Sequence, residues 1–200
     1  MTEKTGYHHG DLRAALLSAA LTLLDEGGVE AVTIRAVARA AGVAHSAPAN
    51  HFRDRKALLT ALATGLFRTL AAELAADLAT APAERRAGVR VFARRWLAFG
   101  LAHPNRYRLM WRRDCLHEDT ELEAAMDAIY DPLVALLAKG RKPNDAHVSA
   151  ESEAIALWSL MHGYLSMRLD GNLTEGTDEI SGAPRQDALL AVLWDGLAGG

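Results

Sequence analysis

The 200-residue sequence lacks several features that would place it outside ordinary globular proteins. It has a single cysteine, Cys115, which excludes an internal disulfide and a cysteine-based zinc site. No uninterrupted run of 18 apolar residues is present, so we expect no segment to span a membrane. The first residues also lack the apolar stretch of a secretory signal. Together these absences predict a protein of the reducing cytoplasm with no membrane partner.

Motifs that carry enzyme chemistry are missing as well. The chain contains no G-x-S-x-G, no phosphate-binding loop, no G-x-G-x-x-G and no H-E-x-x-H. The polar clusters His8-His9 and His117-Glu118-Asp119 do not place two metal ligands on one helix face. We therefore expect no enzyme, no bound metal and no cofactor.

Charge is distributed unevenly along the chain. The net charge is -3, but residues 1–68 contain eight Lys/Arg and six Asp/Glu, whereas residues 69–200 contain fourteen and nineteen. The N-terminal third is thus the basic part, which suits a polyanionic partner such as DNA.

The dominant hydrophobic period is helical. Leucines recur every four residues from Leu58 to Leu78, and no segment alternates with a period of two over a useful length. The pattern predicts an all-α fold of about nine helices. Helices are expected over 54–80, 83–102, 105–113, 119–139, 148–169 and 185–198, with a polar, glycine-containing loop at 170–184.

A helix-turn-helix is predicted near the N-terminus. A first amphipathic helix ends at Gly27-Gly28, and Thr33 offers an N-cap oxygen to a short helix that Gly42 ends. A second short helix is expected at about 45–51, with Ser46 as its cap because Pro48 has no N–H and belongs in a first turn. Two short helices joined by a tight turn are typical of DNA-binding proteins.

The second short helix has the composition of a recognition helix. Small side chains permit a close approach to DNA, while His45, Ser46 and Asn50 can donate or accept hydrogen bonds at base edges. Spacing alone leaves open an alternative, a helical hairpin that merely packs and turns its polar residues toward water.

Five stretches of the sequence resemble the DNA-binding domain of the TetR family of repressors. They are Tyr7-His-His-Gly-Asp-Leu-Arg13, Ala19-Ala20 with Leu24-Asp-Glu-Gly-Gly28, Thr33-Ile-Arg-Ala-Val-Ala38, Ala41-Gly-Val43, and His51-Phe52 with Leu58-Leu59. The resemblance implies an all-helical dimer with an N-terminal DNA-binding domain and a C-terminal domain that binds an inducer. We accordingly predict a DNA-binding domain at 7–56 and a ligand-binding and dimerisation domain at 57–200, linked by the helix at 54–80.

Two departures from the family pattern affect the expected contacts. Ala49 stands where the family has a tyrosine whose hydroxyl contacts phosphate, and Ala44 replaces a serine at the start of the recognition helix. Arg55 takes the place of the family's lysine. We assign phosphate contact to Thr33, Arg55 and Lys56, and base reading to the recognition helix. The full predicted DNA-binding set is Thr33, Ala44, His45, Ser46, Ala49, Asn50, His51, Arg55 and Lys56.

The C-terminal two-thirds contains most of the large apolar side chains. Leu157-Trp158-Ser-Leu-Met-His162-Gly163 resembles a Trp-x-x-x-His-Gly pattern of one TetR subgroup, and Gly163 predicts a close helix contact. Aromatic and methionine side chains at helical spacing would supply an apolar effector pocket, or would equally serve as plain core. The predicted effector-binding residues are Phe92, Trp96, Phe99, Met110, Trp111, Met126, Tyr130, Trp158, Met161 and His162.

A twofold dimer interface is expected on the last two long helices, since one subunit can bury only one face of each. Its predicted residues are Leu157, Leu160, Tyr164, Leu165, Leu189, Val192, Leu193 and Leu197.

Taken together, the sequence predicts a ligand-responsive repressor that binds a palindromic operator as a homodimer and is released by a small apolar or amphipathic effector. The alternative is a helical small-molecule-binding protein whose helix-turn-helix has lost its affinity for DNA, an alternative that Ala44 and Ala49 keep open.

Overall fold

The structure, a computed structural model, describes residues 9–140 and 148–198, and the side chains of residues 12–140 and 148–192. Its helices are α1 (His9–Ala31), α2 (Ile34–Ala40), α3 (Arg55–Thr80), α4 (Arg85–Ala102), α5 (Pro104–Trp111), α6 (Thr120–Ala138), α7 (Ala150–Leu169) and α8 (Arg185–Ala198), with short 3-10 turns at Ala47–Asn50 and Arg113–Cys115. Within the described ranges there is no strand, and one antiparallel bridge pairs Thr177 with Pro184. The all-α prediction is confirmed.

Local stop and start signals act where the sequence places them. Gly28 leaves the helical conformation with φ +69° and kinks α1, although one further turn continues to Ala31. Thr33 caps α2 by accepting the Ala36 N–H at 3.1 Å, and Gly42 follows that helix with φ +67°. Asp54 caps α3 by accepting the Ala57 N–H at 2.7 Å. These signals set the short spacing between the first three helices.

The described residues form two compact units. The N-terminal unit comprises residues 9–69 and 103–126, and the C-terminal unit comprises 70–102, 127–140 and 148–198. Helix α3 contributes residues to both. The functional boundary expected between residues 56 and 57 stays a prediction.

In the N-terminal unit, α5 lies against the end of α1. The Arg106 guanidinium pairs with both carboxylate oxygens of Asp25 at 2.7–2.8 Å, and the Asn105 amide donates to the Asp25 carbonyl at 3.1 Å. Beneath these polar contacts, Phe67 of α3 meets Trp111 of α5 edge to face, with ring centroids 5.2 Å apart. Charge-assisted hydrogen bonds thus fix α5 on a helix end that Gly28 has already kinked.

In the C-terminal unit, α4 packs closely on α7. A Cβ at Gly100 would clash with the Leu165 Cδ2 atom, and the Cγ and Cδ1 atoms of Leu165 would lie 3.1 and 3.2 Å away. Gly163, by contrast, is exposed, with no heavy atom of the described chain within 4 Å of a Cβ there. The close helix contact expected at Gly163 is therefore wrong within the chain, and Gly100 supplies it instead.

Helix α3 is the one helix of the described residues that is long and apolar enough to meet the length and composition of a membrane span, with a mean hydropathy of 1.3. Of its most apolar window, 56% is buried inside the protein. The six leucines from Leu58 to Leu74 are all buried, so α3 packs as a core helix.

Replacing Gly100 by alanine is expected to lower the free energy of unfolding by about 1–3 kcal/mol, because the new methyl group would force the fully buried Leu165 side chain to shift within the core. The matched control is Gly65→Ala in α3, an exposed helical glycine with no heavy atom within 4 Å of a Cβ. That change should stabilise the protein by about 0.5–1 kcal/mol through helix propensity alone. Urea denaturation followed by circular dichroism measures both, and equal gains in stability would contradict the close α4–α7 contact.

Candidate functional site

The first part of the site is the exposed face of α2. Val37 and Ala38 are buried against the unit's core, whereas Thr33, Arg35 and Arg39 are exposed. The Thr33 hydroxyl oxygen accepts from Ala36, which leaves its hydrogen available to donate. Arg35 and Arg39 are four residues apart, so they lie on one face of the helix.

Arg35 and Arg39 were absent from the predicted DNA-binding set. The sequence contained a signal for them. Apolar Val37 lies two residues from each arginine, so on a helix that buries Val37 both arginines point away from the core.

The predicted recognition helix at 45–51 is not an α-helix. Residues Ala47–Asn50 form a 3-10 turn, in which Ala47 donates to Ala44 at 2.9 Å and Ala49 donates to Ser46 at 3.2 Å. Ser46 occupies the cap position and Pro48 the first turn, as predicted, but the Ser46 side chain makes no capping hydrogen bond. A start without a capping side chain favours this short, tight turn over a longer helix. We call residues 44–51 the recognition segment.

The recognition segment presents most of its predicted side chains to solvent. Ala44, His45, Ser46, Ala49 and Asn50 are exposed, and His51 is half-buried. Buried Pro48 anchors the segment in the unit's core. The predicted base-reading side chains therefore lie together on one short exposed segment.

Arg55 is bound to the chain itself. Its Nε donates to the Val32 carbonyl and a terminal nitrogen donates to the Val29 carbonyl, both at 2.6 Å. The same guanidinium lies 3.4 Å from a Glu30 carboxylate oxygen. These carbonyls belong to the end of α1 and the connection to α2, where helical partners run out. Arg55 therefore holds the start of α3 to the α1–α2 connection, while its predicted phosphate contact stays a prediction.

The start of α3 carries a second polar cluster. The His117 Nε2 lies 3.1 Å from both carboxylate oxygens of Asp54, and the His117 N–H donates to the Thr60 hydroxyl at 2.9 Å. The Ala57 N–H and then the His117 imidazole hold the pKa of Asp54 below its ordinary value. Lys56, the other predicted phosphate ligand, is half-buried beside this cluster.

The ten predicted effector-binding residues divide between the two units. Met110, Trp111 and Met126 belong to the N-terminal unit, where Met110 is fully buried. The C-terminal unit holds Phe92, Trp96, Phe99, Tyr130, Trp158, Met161 and His162. The predicted effector set is thus two groups of side chains, each described within its own unit.

Trp158 is the centre of the aromatic cluster in the C-terminal unit. Its ring centroid lies 4.5 Å from that of Trp96, 5.8 Å from that of Tyr130 and 5.7 Å from that of His162. Burial lowers the pKa of His162 to about 4. The imidazole is therefore neutral at physiological pH and can both donate and accept a hydrogen bond.

Several predicted dimer residues are buried within the single chain. Leu157, Tyr164 and Leu165 are buried, Leu160 and Leu189 are half-buried, and Val192 is 70% exposed. The side chains of Leu193 and Leu197 lie outside the described residues. The exposed large apolar side chains of the described chain all fall between residues 148 and 192, namely Val148, Ile155, Met167, Leu173, Ile180 and Val192.

Among the side chains that the structure describes, no group of three His, Cys, Asp or Glu residues is arranged to hold a metal ion.

Comparison with known proteins matches both parts of the chain. Residues 16–62 match a family model described as bacterial regulatory proteins, tetR family, and residues 89–193 match one described as tetracyclin repressor-like, C-terminal domain. An uncharacterised HTH-type transcriptional regulator of Mycobacterium tuberculosis is 26% identical over 159 residues, which cover 80% of this chain and 71% of that protein.

Solved structures share the whole fold. A protein of unknown function from Rhodococcus sp. RHA1 is 32% identical with a TM-score of 0.80, and the match covers 98% of this chain and 100% of that one. The regulator FadR from Bacillus subtilis, solved in complex with stearoyl-CoA, is 13% identical with a TM-score of 0.70, over 94% of this chain and 98% of that one. The second likeness shows the fold alone.

Arg55→Met is expected to lower the free energy of unfolding by about 2 kcal/mol, because two carbonyls at the end of α1 lose charged donors at a site that is one-third exposed. The matched control, Lys56→Met, changes the adjacent residue and should leave stability within about 0.5 kcal/mol. Thermal and urea unfolding of both variants measure the difference. Equal stability of the two would contradict the anchoring role of Arg55.

Proposed function

The chain belongs to the TetR family of transcriptional regulators, and from that premise we propose that it is a repressor that binds a palindromic operator as a homodimer. A small apolar or amphipathic effector releases it. The observation that carries this proposal is the exposed polar surface formed by α2 and the recognition segment. A regulator of this kind acts in the cytoplasm, where its DNA is.

Phosphate and base contacts divide between the two halves of that surface. Thr33, Arg35 and Arg39 offer a hydroxyl and two guanidinium groups, which suit phosphate oxygens. His45, Ser46 and Asn50 offer side chains that can read base edges. Ala44 and Ala49 remove two hydroxyls from the expected contacts, so α2 and Lys56 carry a larger share of the affinity.

The effector-binding site belongs, in this proposal, to the aromatic cluster of the C-terminal unit. Trp158 and Tyr130, packed around buried Trp96, provide apolar contact area, and neutral His162 can form a hydrogen bond with a polar group. The fold neighbour FadR was solved with stearoyl-CoA, which is compatible with the proposal of an amphipathic effector for this chain. Release of DNA requires only that the effector bind one conformation of the protein more tightly than the other.

The homodimer is supported by where apolar side chains remain uncovered. Ile155 and Met167 are 57% and 45% exposed on α7, and they flank exposed Gly163, where a second helix could approach closely. Val192 adds an exposed apolar side chain on α8. We therefore place the interface on this outer face of α7 with α8, since Leu157, Tyr164 and Leu165 are already covered within the chain.

The second candidate is a ligand-binding protein without affinity for DNA. Two observations favour it, the missing hydroxyls at Ala44 and Ala49 and the four-residue 3-10 turn in place of a recognition helix.

DNA binding is tested by sequencing the genomic fragments that the purified protein retains and then measuring affinity for them against random DNA at several salt concentrations. Lys56→Met and Arg39→Met should weaken binding to all sequences and reduce the salt slope by about one each. His45→Ala should change sequence preference, and Lys139→Met in the C-terminal unit is the control. Absence of binding to any DNA at low salt would favour the second candidate. An equal loss of affinity for retained and random DNA in His45→Ala would contradict base reading.

The dimer is tested by sedimentation velocity. The wild-type chain should sediment as a dimer at about micromolar concentration, and the double variant Ile155→Glu, Met167→Glu should sediment as a monomer, because burying two carboxylates at the interface is strongly unfavourable. Ala79→Glu on an exposed position of α3 is the control and should leave the dimer intact. A wild-type monomer would contradict the proposed interface.

A further inference from the structure

A cavity of about 360 Å³ lies in the N-terminal unit; of its lining residues, His51 alone belongs to the predicted DNA-binding set and none belongs to the aromatic cluster. All of its lining residues belong to the N-terminal unit. We call it the α3 cleft because one face of α3 forms a continuous part of its lining.

That part of the lining consists of Ala57, Thr60, Ala61, Thr64 and Arg68. Their spacing of three and four residues places them on one side of α3, along about 16 Å of helix. The Thr60 hydroxyl donates to the Lys56 carbonyl at 2.8 Å, and the Thr64 hydroxyl donates to the Thr60 carbonyl at 2.9 Å. Both threonine donors are thus committed to the helix, and the alanines leave an apolar strip.

The rest of the lining includes charged residues, and the basic and acidic ones come from different parts of the chain. Arg13 of α1 and Arg53 of the loop before α3 are basic, whereas Glu118 and Asp119, just before α6, and Glu121 in its first turn are acidic. A cleft with basic side chains on one stretch of chain and acidic side chains on another suits a ligand that itself carries both charges.

Most of these charged groups already have partners. Arg53 lies 3.5 Å from Asp54, Arg68 pairs with Glu121 at 2.9 Å, and the Asp119 carboxylate caps α6 by accepting the Leu122 N–H at 2.9 Å.

Two charges of opposite sign are left. The Arg13 guanidinium lies over the Phe52 ring, 5.5 Å from its centroid, and forms no ion pair with another described residue. The Glu118 carboxylate likewise forms no ion pair within the described part of the chain. Arg13 and Glu118 therefore have their charges available for a bound molecule.

We propose that the α3 cleft binds a small zwitterion of the α-amino-acid type, with its carboxylate on Arg13, its ammonium group on Glu118 and its apolar side chain over Ala57 and Ala61. This site is separate from the aromatic cluster and does not depend on DNA binding. His51, Phe52 and Arg53 line the cleft and follow directly on the 3-10 turn of the recognition segment, so an occupant would contact the segment that precedes α3.

The test uses three probes that share one ring and differ in charge. L-phenylalanine carries both charges, 3-phenylpropionate lacks the ammonium group, and L-phenylalaninamide lacks the carboxylate. Isothermal titration of the full-length protein without DNA should give L-phenylalanine at least about ten-fold tighter binding than either analogue, since each removes one charged contact. Equal binding of phenylalanine and phenylpropionate, or no binding of any probe at about 10 mM, would overturn the proposal.

Variants assign the two ends of the ligand. Arg13→Met should weaken phenylalanine and phenylpropionate by about ten-fold and leave phenylalaninamide unchanged, whereas Glu118→Gln should weaken phenylalanine and the amide and leave phenylpropionate unchanged. Arg113→Met and Glu26→Gln, exposed positions of the same unit outside the cleft, are the matched controls. Loss of all three probes alike in Arg13→Met, with unchanged thermal stability, would contradict the assignment, as would losses of the same size in the controls.

Discussion

The structure depends on the constraint that one helix, α3, must supply buried leucines to two cores. Its leucines recur every four residues, but an α-helix turns about once every 3.6, so each step rotates the buried side chain by about 40° around the axis. Leu58, Leu62 and Leu66 fall in the N-terminal unit, and Leu70 and Leu74 fall in the C-terminal unit. A strict four-residue repeat therefore lets the buried face turn gradually along one uninterrupted helix. The first residue of that helix, Arg55, holds the start of α3 to the α1–α2 connection through hydrogen bonds to the Val32 and Val29 carbonyls.

The features that could be predicted from the sequence are those decided within a few residues. Thr33 and Asp54 each cap a helix by accepting the backbone N–H of the residue three positions later. Such a cap involves neighbouring residues only, so the sequence pattern is enough to predict it. The bond from Arg55 to the Val29 carbonyl spans 26 positions and depends on how α1 ends, which no local pattern states. The tight α4–α7 contact similarly required knowing that Gly100, not Gly163, faces the neighbouring helix. The recognition segment is not an α-helix for a partly local reason, since Ala44 has no hydroxyl to cap a helix and the Ser46 side chain makes no capping hydrogen bond.

Apolar side chains were harder to assign than polar ones. Helical spacing identifies the residues that leave water, but a leucine covered by its own chain and one covered by a second copy share the same spacing. Leu157 and Leu165 illustrate the first case, because both are fully buried within the C-terminal unit. The aromatic residues pose the same difficulty. Trp96 and Met161 are almost fully buried, so most of their surface is already in contact with the protein, and half-buried Trp158, Tyr130 and His162 are the members with surface left for a ligand.

The polar surface of the N-terminal unit has a consequence for specificity. In the proposed DNA complex, phosphate contacts from the α2 arginines and Lys56 would not depend on base sequence, so they would raise the affinity for every DNA and make that affinity depend on salt. In that proposal, discrimination between sequences would come from His45, Ser46 and Asn50, which lie on a short segment that contains buried Pro48. Each good base contact contributes only about 1–3 kcal/mol of discrimination, so three such side chains per subunit would give a limited preference for the operator over other DNA. A second copy doubles that number of contacts without any change in the segment, because a twofold dimer reads two half-sites. If the chain dimerises through the uncovered apolar face of α7, as proposed, a short recognition segment makes operator choice depend strongly on dimerisation, and that face would contribute to DNA recognition alongside the helix-turn-helix.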